Sequence, residues 1–104
     1  MPDKSRQPDD CRTMEEVRAG VDEVDGDVLR LLARRFAYMR AAARIKPERQ
    51  HVRDEVRKAE VIANAAAMAK KLGIPSQTII EIWDRLVEGS ITYEQEEWNR
   101  QHDG

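Results

Sequence analysis

Residues 13–47 read TMEEVRAGVDEVDGDVLRLLARRFAYMRAAARIKP, and the fold follows from this stretch. Thr13-Met14-Glu15-Glu16 has the form of a capping box: the Thr13 hydroxyl is placed for the Glu16 amide, and the Glu16 side chain can reach back. Apolar residues then recur at Val17, Val21, Val24, Val28 and Leu31, in alternating steps of four and three. The rhythm continues through Arg35, Tyr38, Ala42 and Ile45, which makes one unbroken heptad seam. Pro47 ends the helix, because it lacks an amide hydrogen and biases the residue before it against helical geometry.

A helix over 13–46 is roughly 50 Å long at ~1.5 Å per residue. A globule of ~100 residues has a radius of gyration near 13 Å, so this helix outruns it. The rest of the chain cannot cover such a seam, and the spacing therefore predicts a homodimer in which long helices pack on their symmetry mates. A kinked helix folding back as a monomeric bundle is the alternative, but no Gly or Pro lies between Gly26 and Pro47 to make the kink. Beyond a short polar loop, a second helix is expected from Val52 or Arg53 to Leu72, with Gly73 as its C-cap. Its stripe is Val61, Ala65, Met68 and Leu72, projecting back onto Arg57 and Asp54. Ile74-Pro75-Ser76 leads into a third helix over 76–100 carrying Ile80, Trp83, Val87, Ser90, Glu94 and Trp98 at helical spacing. The expectation is an all-α fold of one long and two shorter helices: a flexible arm over 1–12, one helical domain over 13–100, and a frayed tail over 101–104.

Composition agrees. The 104 residues are 37% charged and 5% aromatic, with 5 Gly and 4 Pro, a mix that suits helices and disfavours an all-β architecture. Eighteen basic residues against 20 acidic ones give a net charge of −2, so no basic field draws in nucleic acid. The lone Cys11 forms no internal disulfide and suits a reducing compartment. No long apolar run or signal-like N-terminus is present, and a soluble cytoplasmic protein is expected, with no membrane partner. His51 and His102 lack partners at metal-ligand spacing, so no metal is expected. Cys11 reads as a bystander thiol, and no glycine-rich phosphate loop occurs.

Polar residues that fall on apolar stripes are the candidates for function. Arg35 sits in the seam between Val28 and Ala42, and a buried guanidinium needs an anion, from the protein or from a ligand. Lys46 ends the same helix, where spacing alone favours a solvated cap. Asp54 and Arg57 share a face of the second helix with Lys58 nearby; a surface pair and an inward-facing one are equally compatible with that spacing. Ser90 and Glu94 are an i,i+4 pair on the Trp83–Val87 stripe, and a buried glutamate calls for a partner or a proton. Together the stripes can aim cations, a hydroxyl and a carboxyl group into one cavity.

These residues resemble the all-helical, AroQ-class chorismate mutases, which are intertwined dimers of one long and two shorter helices. The resemblance covers roughly residues 10–100. It rests on Val17-Arg18, Val21-Asp22, Leu31-Leu32-Ala33-Arg34-Arg35, Arg44-Ile45-Lys46, Val52-Arg53-Asp54-Glu55-Val56-Arg57 and Glu88-Gly89-Ser90-Ile91. The segment from Asp10-Cys11 through Tyr38, Ala41-Ala42 and Lys46 is also similar to the related isochorismate-pyruvate lyases. The resemblance implies a cavity for a dicarboxylate. Arg18, reaching in from the partner subunit, and Arg35 would bind carboxylates, with Arg57 part of the same basic site. Asp54 and Ser90 would contact the ring-hydroxyl region, and Lys46 and Glu94 would donate to the ether oxygen.

The implied reaction, chorismate to prephenate, is a unimolecular pericyclic rearrangement that needs no cofactor, metal or nucleophile. It needs a folded enolpyruvyl arm and donors for the charge growing on the ether oxygen. Arginine forks clamp carboxylates, and a lysine supplies a point charge. Three features depart from the family pattern. Glu94 stands where many members carry Gln, so the resemblance implies that it works protonated. Lys58 stands where some members place Glu, and the loop between Lys46 and Arg57 is one residue shorter. The alternatives are isochorismate-pyruvate lyase in the same cavity, an aminodeoxychorismate mutase further back, and a non-catalytic helical dimerisation module.

Overall fold

The computed structural model describes residues 6–103. Its fold is all-α, with three helices and, among the described residues, no strand: α1 (Met14–Ile45), α2 (Glu55–Leu72) and α3 (Ser76–His102). Short 3-10 turns stand at Pro8–Asp10 and Arg49–His51. The chain divides into two compact units, one up to Phe36 and one from Ala37 onward, with the boundary inside α1.

In the first unit the capping box forms as its sequence implies. The Glu16 amide donates to Thr13 Oγ1 at 3.1 Å, and Glu16 Oε1 accepts from the Thr13 amide at 3.2 Å. The same carboxylate accepts from the Arg12 amide at 2.8 Å and pairs with Arg6 at 2.6 Å. These donors, the Arg12 amide foremost, hold the Glu16 carboxyl below its usual range. Of the segment expected as a flexible arm, residues 1–5 lie outside the described residues; the rest carries the 3-10 turn, closed by the Cys11 amide on the Pro8 carbonyl. The α1 seam is exposed in the single chain: Val24 retains 57% and Leu31 63% of its surface.

The second unit begins with the end of α1, which stops at Ile45, two residues before Pro47. Its interior is Val52, Val87 and Ile91, with Val61 packed on them. Helix α2 starts later than the sequence suggests, because Asp54 is its N-cap: Asp54 Oδ1 accepts from the Arg57 amide at 2.9 Å. Gly73 closes α2 at φ 73°, a left-handed conformation that glycine adopts without a Cβ clash. The expected α2 stripe is corrected at its far end. Met68 and Leu72 are exposed, and the small Ala69, one position round from Met68, is buried. Helix α3 runs to His102, two residues past the expected end, so Gln101 and His102 are helical. The Asp103 amide closes the last turn on the Asn99 carbonyl at 3.0 Å. No described helix is long and apolar enough to cross a membrane.

Candidate active site

The third-helix stripe carries the polar pair that periodicity singled out. Val87, Ser90, Ile91 and Glu94 are the buried residues of α3, so two polar groups lie on its interior face. Glu94 keeps only 5% of its side-chain surface and pairs with Lys46, Nζ to Oε2, at 2.7 Å. The Lys46 side chain is 31% exposed. Lys46 is thus no solvated cap: it leaves the end of α1 and meets a buried carboxylate 48 residues further along the chain. The partner explains how a glutamate is tolerated on an apolar stripe, since a buried charge needs an opposite charge. One turn earlier, Ser90 Oγ donates to the Leu86 carbonyl at 2.7 Å. Among the described residues no buried side-chain polar atom lacks a partner.

The other candidates lie elsewhere. Asp54 caps α2 with one of its carboxylate oxygens. The Arg57 guanidinium pairs with Glu60 on the exposed side of the helix. Arg18 and Arg35 belong to the first unit's part of α1, Arg18 exposed and Arg35 half-buried. Of the seven expected residues, the second unit brings Lys46 and Glu94 into direct contact, with Ser90 on the same α3 face.

Two features escaped the sequence reading. The first is a charge cluster joining the start of α2 to α3. Glu88 accepts from Arg53 Nη2 at 2.7 Å and Nη1 at 3.1 Å, and from Lys58 Nζ at 2.6 Å. Lys58 also reaches Asp84 at 3.2 Å, and Arg53 reaches Glu55 at 2.8 Å. Hydrogen bonds from Arg53 and then Lys58 hold the Glu88 carboxyl down at about 2, against an ordinary 4.5. The same carboxylates raise the Lys58 ammonium above its usual range, Glu88 contributing most. Lys58 is therefore committed to α3. The second feature is Trp98, whose indole N–H donates to the Lys46 carbonyl at 2.9 Å. Their interhelical contacts join partners 26 to 52 residues apart, a separation at which helical periodicity carries no signal.

Chemically, the pair offers an ammonium and a carboxyl group on one face, beside a hydroxyl. That set can donate to a developing oxyanion and holds no activated nucleophile. Among the described residues no group of three His, Cys, Asp or Glu side chains could hold a metal ion.

Known proteins bear on this arrangement. Residues 17–95 match the family described as Chorismate mutase type II. A curated protein of Pseudomonas aeruginosa, isochorismate pyruvate lyase, is 23% identical over 95 residues, covering 91% of this chain and 94% of that protein. The family match begins at Val17 in the α1 seam and ends one residue past Glu94, so it contains both partners of the buried pair. With three helices, no described strand and a match over most of its length, the chain belongs to the chorismate mutase type II family.

Proposed function

We propose that this chain is a chorismate mutase, converting chorismate to prephenate, and that it works as a homodimer. The observation that carries the reading is the Lys46–Glu94 pair beside Ser90 on the buried face of α3. In the rearrangement the ether C–O bond breaks while a C–C bond forms, in one step and with no proton gained or lost. Negative charge grows on the ether oxygen as the bond stretches. A fixed ammonium at that oxygen stabilises the transition state more than the ground state. Binding exchanges the Glu94 carboxylate for the ether oxygen as the Lys46 partner. Glu94 takes up one proton from solvent as the substrate binds, donates from the other side as a neutral acid, and returns that proton when the product leaves. The reading assigns carboxylate binding to Arg35, to Arg57 once it leaves Glu60, and to Arg18 from a second copy. Asp54 and Ser90 face the ring hydroxyl.

The homodimer has its own support. Val17, Val21, Val24, Val28 and Leu31 are all exposed in the single chain. Alongside them, Val17, Val21 and Val24 line a cavity of about 390 Å³ with Pro8 and Cys11. A contiguous apolar surface of this kind is covered in solution by a partner, and a second copy offers the matching heptad seam.

A second reading, isochorismate-pyruvate lyase, is favoured by the similarity to the Pseudomonas aeruginosa protein of that name. Parallel turnover of chorismate and isochorismate from acidic to mildly alkaline pH separates the two. Prephenate as the main product, with activity falling as pH rises, is the expected result. Efficient release of salicylate and pyruvate makes the chain a lyase. No product with either substrate, from a verified dimer, leaves a helical dimerisation module.

A further inference from the structure

We propose that Trp98 is a positioning residue for the Lys46 ammonium, acting through the Lys46 backbone carbonyl; the inference rests on the role given to Lys46 above. Lys46 is the first residue past α1, and its amide closes the last turn on the Ala42 carbonyl at 2.9 Å. Its own carbonyl lies beyond the helix end, where no intrahelical donor remains, and it precedes Pro47, which has no amide hydrogen. The Trp98 indole N–H supplies the donor, at 2.9 Å and partly buried. Trp98 follows Glu94 by four residues on α3, so the two side chains occupy one face of that helix. Helix α3 therefore grips Lys46 twice: Glu94 holds the ammonium and Trp98 holds the main chain.

The indole is itself fixed. His102 stacks on it with ring centroids 4.1 Å apart and planes 12° from parallel, and His102 Nδ1 donates to the Trp98 carbonyl at 2.9 Å. Further along, Arg40 donates to the Tyr93 hydroxyl at 2.9 Å, and Arg49 Nε donates to Asn99 Oδ1 at 3.0 Å. These contacts bracket the chain reversal after α1 on both sides of Lys46. A lysine has four rotatable side-chain bonds, so its ammonium is placed only as well as its main chain is held. A shift of about 1 Å in a reacting group can cost up to about a hundredfold in rate.

Trp98→Phe keeps an aromatic ring, smaller than the indole, and removes the N–H. The expected result is a fall in kcat of about tenfold with KM within about twofold, because the donor acts in the transition state. Independently of turnover, acetylation of Lys46 by acetic anhydride, read by peptide mass spectrometry, should rise several-fold in the variant. Lys70 and Lys71, exposed at the far end of α2, should label at the parent rate. An unchanged Lys46 rate overturns the proposal, and so does an equal rise at all three lysines, which would report general loosening. If the parent turns over neither substrate, the functional reading fails while the labelling still decides whether Trp98 places Lys46. Should the phenylalanine variant not fold, His102→Ala, which unpins the indole and keeps its N–H, takes its place with a smaller rise confined to Lys46 expected.

Discussion

Under the proposed mechanism, the side chains that matter most are those that would exchange partners when a substrate arrives. Lys46 and Glu94 stabilise each other in the free protein, and removing one leaves the other's charge uncompensated. Lys46→Met should therefore abolish turnover and also destabilise the fold by about 1–3 kcal/mol, because a 5%-exposed carboxylate loses the ammonium it pairs with. Adding Glu94→Gln to that variant should restore most of the lost stability and none of the activity. Urea titration of the two singles and the double, run as a mutant cycle, measures this. If Glu94 donates to the ether oxygen as proposed, the single Glu94→Gln variant should retain turnover, since an amide N–H also donates. Glu88 has a different signature. Its folded-state value near 2 lies below its ordinary 4.5, so its contribution to stability is complete above 4.5 and is lost as pH falls through 2. Glu88→Gln should therefore flatten the stability curve between those pH values, as read by thermal melts in acid. Residues on a periodic stripe, Ser90 and Glu94 above all, were legible in the sequence because burial follows spacing. The partner choices of Lys46, Lys58 and Trp98 were not, because each depends on a contact with a distant helix.

At the scale of elements, signals contained in a few adjacent residues translated directly. The Thr13–Glu16 box, the Pro47 stop and the Gly73 cap each satisfy local backbone groups and need no tertiary context. Gly73→Ala, at φ 73°, should cost about 1–2 kcal/mol, the penalty of a Cβ in the left-handed region, as a shift in the denaturation midpoint. The start of α2 was misjudged because Val52-Arg53 continues the helical pattern, while Asp54 competes for the Arg57 amide through its own side chain. Asp54 thus has a structural duty alongside its candidate role. Asp54→Asn, which keeps the cap, should retain stability, whereas Asp54→Ala should lose about 1 kcal/mol. The far end of α3 was also underestimated, since the Trp98–His102 stack and the Asp103 closure support two more helical residues.

For the molecule as a whole, the length of the first helix and its unbroken seam were plain in the sequence, and the exposed valines and Leu31 bear the same pattern in the structure. In the proposed dimer the surface covering that seam belongs to a second chain, and the fold of one chain does not state it. If the site is shared as proposed, two inactive variants should repair each other. Mixing Arg18→Ala with Lys46→Met, after unfolding and refolding together, should restore roughly a quarter of parent turnover: half of the random dimers are mixed, and each of those has one intact site. Recovery of nothing would place Arg18 outside the partner's site. Val24→Glu, in the seam, should reduce the sedimenting mass to the 12.0 kDa of one chain and silence the enzyme.

Among the described residues, the apolar ones buried in the single chain are only Ala43, Val52, Ala69, Val87 and Ile91. That is a thin reserve against the entropy of ordering so long a polypeptide. If a second copy covers the α1 seam, as proposed, the survival of this protein in a cell is tied to its own dosage. At low expression each copy would spend longer uncovered and open to proteases, its half-life would shorten, and a modest drop in synthesis would be amplified into a larger drop in catalytic capacity.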